Sequence, residues 1–372
     1  MNRRILLSLL LLAGSLNAAD PRLWKVAGAP PESWQRDRVA DLAGRRKAVM
    51  EQLGNKAILI LYAAEPRNYA GDVDWPFRQE NDFFYLTGID QTGSTLVLIP
   101  GADKIREILF MPPSNPAQEN WTGHILTADE GRRISGIQDI WDARTFDSFL
   151  TTLIPQAKEM LAEPAGRAGG GGGRRGGVQA PPAIPVDVSK EFATTISAVA
   201  DKSAQLYMLD GRGPEYRREA EFAAKLAAAY PGLTIKNPTQ IFGNMRAVKS
   251  AREIDLLKHA VDITAEAFQR VYAVAVPGTP EYEIQAQFEF TFLRRNAHWG
   301  YPCIVASGVN ATTLHYETNK DTMKAGDLLL MDDAAEFGGY SVDVTRTIPV
   351  SGKYNKEQAE IYRLVWEGQR PA

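Results

Sequence analysis

Cysteine is almost missing from this chain, with Cys303 the one example in 372 residues. A single thiol excludes any intrachain disulfide and any cysteine-built zinc site. Histidine is nearly as scarce. His124, His259, His298 and His315 are the whole supply, so a metal centre made by this sequence must draw mainly on carboxylates. No charge of one sign dominates either: 42 Lys and Arg stand against 45 Asp and Glu, a formal net charge of −3. Such a balance provides no field for gathering a phosphate backbone and argues against nucleic acid as the partner. The apolar run at the start, Ile5 to Ala13, is nine residues long and contains Ser8, well short of the roughly 20 residues of a membrane span.

What is present begins with an address. Asn2-Arg3-Arg4, the short apolar run and Leu16-Asn17-Ala18 before Ala19-Asp20 predict a signal peptide over residues 1–19, and hence a periplasmic or secreted protein with no stable membrane span after cleavage. A Pro- and Trp-dotted leader follows over 20–37. The chain, 44% hydrophobic, is long enough for two domains. The first runs over 38–163 and resumes over 186–237. Between them lies a Gly/Arg/Pro-rich stretch at 164–185, with five consecutive glycines at 169–173, which cannot bury enough apolar surface to order itself and reads as a mobile insertion. The second domain is expected over 238–372.

Within the first domain, Arg38–Leu53 has a helical pattern. Ala57–Tyr62 reads as a fully buried strand, and Phe83–Gly88, Thr95–Pro100 and Ile108–Met111 read as further strands. Mixed strands and helices place it in the α/β (α+β) class. In the second domain, Ser250-Ala251-Arg252-Glu253 has the form of a capping box. The helix it opens carries Ile254, Leu257, Val261, Ala265, Phe268 and Tyr272 at helical spacing, which predicts one buried stripe. Thr279-Pro280 then starts a helix with Ile284, Phe288 and Phe292 on one face. Strand-like stretches follow at Pro302–Ser307, Asp327–Met331 and Tyr340–Val350.

The chemistry concentrates between His315 and Thr347. Leu328-Leu329-Leu330-Met331 leads into Asp332-Asp333, and Gly338-Gly339 marks a hairpin whose return strand carries Asp343. A turn centred on the two glycines sets Asp343 opposite Ala334, with Asp332 as its diagonal neighbour. A turn centred one position earlier sets Asp332 directly opposite Asp343. Both registers place the two aspartates on one face and Asp333 on the other; a three-residue loop would break that parity. Two carboxylates so close repel unless a proton, a base such as Arg346, or bound cations neutralise them. Hard divalent cations such as Mn²⁺ suit the geometry. The shared-proton reading lacks the Asp-Thr-Gly signature. Cys303 reads as a small buried hydrophobe.

Three motifs in order resemble the aminopeptidase P (Xaa-Pro aminopeptidase) family of pita-bread metallopeptidases. These are Pro76-Phe77-Arg78-Gln79-Glu80-Asn81-Asp82-Phe83-Phe84-Tyr85-Leu86-Thr87-Gly88, then Met245-Arg246-x-x-Lys249-Ser250-x-x-Glu253-Ile254, then Asp332-x10-Asp343-Val344-Thr345-Arg346-Thr347 with His315 seventeen residues upstream of Asp332. The resemblance implies an N-terminal mixed α/β domain followed by an incomplete pita-bread catalytic domain. It implies two divalent ions, by family habit Mn²⁺, with Asp332 on one ion and Asp343 bridging both. His315 matches the histidine that contacts substrate, a peptide with proline second, and the N-terminal domain matches one that contributes oligomer contacts. One His and two Glu that complete the family's site have no counterpart before Ala372, so a fragment of a longer reading frame is expected. A prolidase- or creatinase-type hydrolase and a metal-free binding protein of the same fold are the alternatives.

Overall fold

The computed structural model describes residues 26–158, 181–210 and 217–370. The expected signal peptide and residues 164–180 of the expected insertion lie outside them. Among the described residues no helix is long and apolar enough to cross a membrane. The chain divides into two compact units, one formed by Gln35–Lys249 and the other by Ser250 onward together with the segment up to Trp34.

In the first unit α1 (Arg38–Leu53) leads into β1 (Ala57–Tyr62), α2 (Asn81–Thr87), β2 (Thr95–Leu98), β3 (Glu107–Met111), β4 (Asp139–Asp142), β5 (Gln205–Met208) and β6 (Thr234–Lys236). The strands form one six-stranded mixed sheet in the order β4–β3–β2–β1–β5–β6. All six residues of β1 are buried, because alternate side chains serve two different cores. Ile58, Ile60 and Tyr62 face one with Val97 and Phe110; Leu59 and Leu61 face the other with Leu96, Leu98 and Leu109. That is why the run is apolar throughout instead of alternating.

Phe83–Thr87 lies in the helix α2, contrary to the strand expected over Phe83–Gly88. Glu80, in extended backbone, accepts a hydrogen bond from the Phe83 N–H, and Gly88 closes the far end in the left-handed region at φ 63°. A capping acceptor and a left-handed glycine bracketing seven residues decide the short element. An apolar run that short carries no usable period. The surrounding motif is largely a building device. The Gln79 amide accepts from Ala64 N (2.7 Å) and donates to the carbonyls of Ile89 and Gln91 (both 3.1 Å). Arg246 reaches back to Asp82 at 2.9 Å, so two motifs far apart in sequence meet as an ion pair. This pair and Phe242, buried in the second core beside β1, keep residues 239–247 with the first unit. The division between the two compact units therefore falls at Ser250.

The second unit comprises α3 (Ala251–Val274), α4 (Glu281–Arg294), β7 (His298–Trp299), β8 (Ile304–Ser307), β9 (Leu328–Asp332), β10 (Ala335–Phe337), β11 (Tyr340–Ser341), β12 (Thr345–Pro349) and α5 (Lys356–Gln369). Ser250 and Glu253 form the expected capping box, and Ile284, Phe288 and Phe292 are buried on α4. The stripe expected on α3 is a correction. Of the expected residues Phe268 is buried, whereas Ile254, Val261 and Tyr272 are 41%, 47% and 45% exposed, and Leu256, Ala260, Ile263, Ala267 and Val271 face the core beside it. The helix is apolar on two sides, and periodicity alone does not say which side the sheet covers. Residues 26–34 strap this unit: Ala27 N–H donates to Glu266 (3.0 Å), Ser33 to Asp255 (2.8 Å), and Trp34 stacks edge-on against Phe337.

Candidate metal centre

The hairpin turns on Gly338-Gly339, at φ 60° and 84°. Two successive left-handed residues make the turn whose twist matches a β-ribbon, and glycine adopts them without strain. Glu336 pairs with Ser341 and Phe337 with Tyr340, and the same register continues to Asp332 opposite Thr345 and Leu328 opposite Pro349. Asp343 thus lies opposite Ala334, one diagonal step from Asp332. The glycine-centred register is the one the ribbon adopts, and it places both aspartates on one face. The opposite face (Leu329, Met331, Asp333, Ala335) is buried against α3 and α4.

A residue not singled out from sequence joins the pair. The Tyr301 hydroxyl lies 2.6 Å from Asp332 Oδ1 and 3.3 Å from Asp343 Oδ1, and accepts from the Val344 N–H at 3.4 Å. Burial and the hydrogen bond to Asp332 both push its phenol further above the ordinary range, so it stays a neutral donor. Among the described residues no basic side chain pairs with either aspartate. Arg346 instead donates to the Thr345 carbonyl (2.7 Å) and lies over the Phe268 ring. Nothing in the sequence around Tyr301 marks it; only the approach of the β8 lead-in to the ribbon brings it there.

Asp333 points into the core and is fully buried. Cys303 donates its thiol to Asp333 Oδ2, and Oδ1 has no hydrogen-bond partner among the described residues. Burial pushes the Asp333 carboxyl up to about 7, with the Cys303 hydrogen bond opposing; burial and the neighbouring Asp333 push the thiol well above its usual range. Cys303 is buried as expected, but it serves as a donor to a carboxyl. His315 sits exposed on the loop after β8 and makes no hydrogen bond to Asp332 or Asp343. The structure therefore joins two of the three expected site residues, through Tyr301. No group of three or more His, Cys, Asp or Glu able to hold a metal ion forms among the described residues.

Residues 42–162 match the aminopeptidase P N-terminal domain, and residues 255–372 match metallopeptidase family M24. The chain thus carries an aminopeptidase P N-terminal domain followed by an M24 metallopeptidase domain. The first lies in the first unit, and the second, pita-bread-like, lies in the second. The chain is 27% identical over 88% of its length to the Xaa-Pro aminopeptidase of Haemophilus influenzae, and 28% identical over 87% to that of Escherichia coli. It spans 65% of the length of each. The E. coli aminopeptidase P structure with the inhibitor Pro-Leu superposes with a TM-score of 0.70 at 27% identity, covering 88% of this chain and 66% of that one. The same E. coli protein has been solved Zn-substituted in complex with product.

Proposed function

We propose that this protein is a metal-dependent aminopeptidase, acting after export, that releases the first residue from peptides with proline in second place. One observation carries the reading: Asp332 and Asp343 share a ribbon face and one hydroxyl, with no basic side chain paired to either among the described residues, in a chain that carries the aminopeptidase P N-terminal and M24 domains. A carboxylate pair left unneutralised by protein groups is a site prepared for cations.

Asp332 and Asp343 would hold two divalent ions, Mn²⁺ foremost. The donors fit in kind, since hard carboxylate oxygens suit such ions, though two side chains do not fill two coordination shells. Bound there, the ions supply Lewis acidity and a water acidified towards neutrality. Tyr301 orients the carboxylates before any ion arrives, donating its hydroxyl hydrogen to Asp332 Oδ1. His315, exposed on its loop, receives the peptide and hydrogen-bonds it near the bond to be cut. The Pro-Leu and product complexes of the E. coli relative support a substrate of this class. Self-association through the N-terminal unit, as the resemblance implies, belongs to the same reading.

The test expresses the protein as far as its reading frame runs and follows release of the first residue from an Ala-Pro-Xaa peptide with Mn²⁺. Turnover lost in Asp343→Asn and in Asp332→Asn is the expected result. Equal turnover of Ala-Ala-Xaa would overturn the proline preference. No turnover, with tight peptide binding that survives both substitutions, would favour the metal-free binding protein.

A further inference from the structure

The loop that carries His315 is tied to one buried carboxylate. Glu281 opens α4 and is fully buried. Its Oε1 accepts from the Ser307 N–H and hydroxyl (2.7 Å each) and from the Asn310 amide (3.2 Å). Its Oε2 accepts from the Tyr316 hydroxyl (2.9 Å) and the Asp321 N–H (3.0 Å). The Glu281 N–H in turn donates to the Asp321 carbonyl at 2.8 Å. These partners bracket His315 on both sides, one of them immediately adjacent to it.

Burying a carboxylate is costly unless hydrogen bonds replace its water. Here five neutral donors do so, and all come from the 307–321 segment. The carboxylate and the loop are therefore satisfied together. Bonds to an ionic acceptor are also the stronger kind, about twice a neutral pair. Asn319 adds a second anchor: its amide donates to the Cys303 carbonyl (2.8 Å) and Gln285 (2.9 Å) and accepts from the Val305 N–H (3.0 Å). Residues 312–315, between the two anchors, are exposed.

We propose that Glu281 is the positioning residue for His315: it closes the 307–321 loop on a helix start and so fixes the imidazole relative to the aspartate pair. The part concerning His315 rests on the proposed function; the part concerning the loop does not. Glu281→Gln is nearly isosteric but sets an NH₂ group against donors. In the protein expressed as far as its reading frame runs, we expect it to raise amide hydrogen exchange across 308–321 at least tenfold, with exchange across 251–274 unchanged. Loop exchange that stays at the wild-type rate would overturn the proposal. Should Glu281→Gln loosen α3 as well, Ser307→Ala and Tyr316→Phe decide, since each removes single donors. Loop exchange rising in each and further in the double variant supports the proposal; no rise overturns it. The positioning role is read from the His315 ring resonance as an Ala-Pro-Xaa peptide is added. A shift in wild type that Glu281→Gln abolishes is expected, and an equal shift in both would overturn it. A wild-type ring that ignores the peptide defeats the functional reading of His315, while the exchange data still judge the loop.

Discussion

Asp332 lies one diagonal step from Asp343 across the ribbon, and one phenolic hydroxyl reaches both. Without a cation this arrangement works against the fold, because like charges at this spacing on a sheet repel. Replacing either acid by its amide should therefore stabilise the metal-free protein. Asp332→Asn and Asp343→Asn are each expected to gain about 0.2–1 kcal/mol in urea unfolding. Added Mn²⁺ should stabilise wild type and leave both variants unmoved. Wild type indifferent to Mn²⁺ across the millimolar range would count against cation binding at the pair.

The ribbon turn packs against Trp34 of the strap. A Cβ on Gly338 would stand 3.2 Å from Trp34 Nε1, at a φ of 60° that side chains rarely adopt. Gly338→Ala should cost about 1–2 kcal/mol. Trp34→Ala relieves the crowding but not the backbone strain, so a double-mutant cycle should recover part of that loss and not all of it.

Cys303 matters as a donor, and the two obvious replacements separate that from packing. Cys303→Ala leaves Asp333 buried with neither oxygen bonded to a side chain, at a cost of about 1–3 kcal/mol. Cys303→Ser keeps a donor and should cost clearly less. Equal losses in the two variants would mean that the hydrogen bond contributes nothing.

Glu80 sets a pH dependence in the first unit. Burial, and secondarily the charge of Asp82, push its carboxyl from an ordinary 4.5 up to about 7. A carboxyl whose folded value is raised holds its proton longer folded than unfolded, so stability falls as pH rises from about 4.5 to about 7 and levels off above. Asp82, also raised by burial, adds to the same slope. Glu80→Gln keeps an acceptor for the Phe83 N–H and should flatten the profile in that window. An unchanged slope would show that Glu80 titrates at its ordinary value.

Several features were legible in the residues because their causes are local. The continuous apolar run of β1, the Ser250 capping box, the α4 stripe and the Gly-Gly ribbon each follow from period, cap or turn chemistry within a few positions. The shared face of Asp332 and Asp343 needed only the two-residue alternation of strands and a correct turn. It also marked the family, through spacing that packing alone does not demand. The helix at 81–87 is not legible in its apolar residues, because the groups at its two ends, Glu80 and Gly88, decide it.

Tertiary structure decided what depends on neighbours distant in sequence. Which of two apolar sides of α3 is covered is set by where the ribbon lies. Tyr301 joins the aspartates, Cys303 meets Asp333, and Glu281 collects donors from residues 307 to 321 only once the strands and α4 stand side by side. Hydrogen bonds act over about 3 Å, so sequence can name the groups able to form them, but only the folded chain selects the partners.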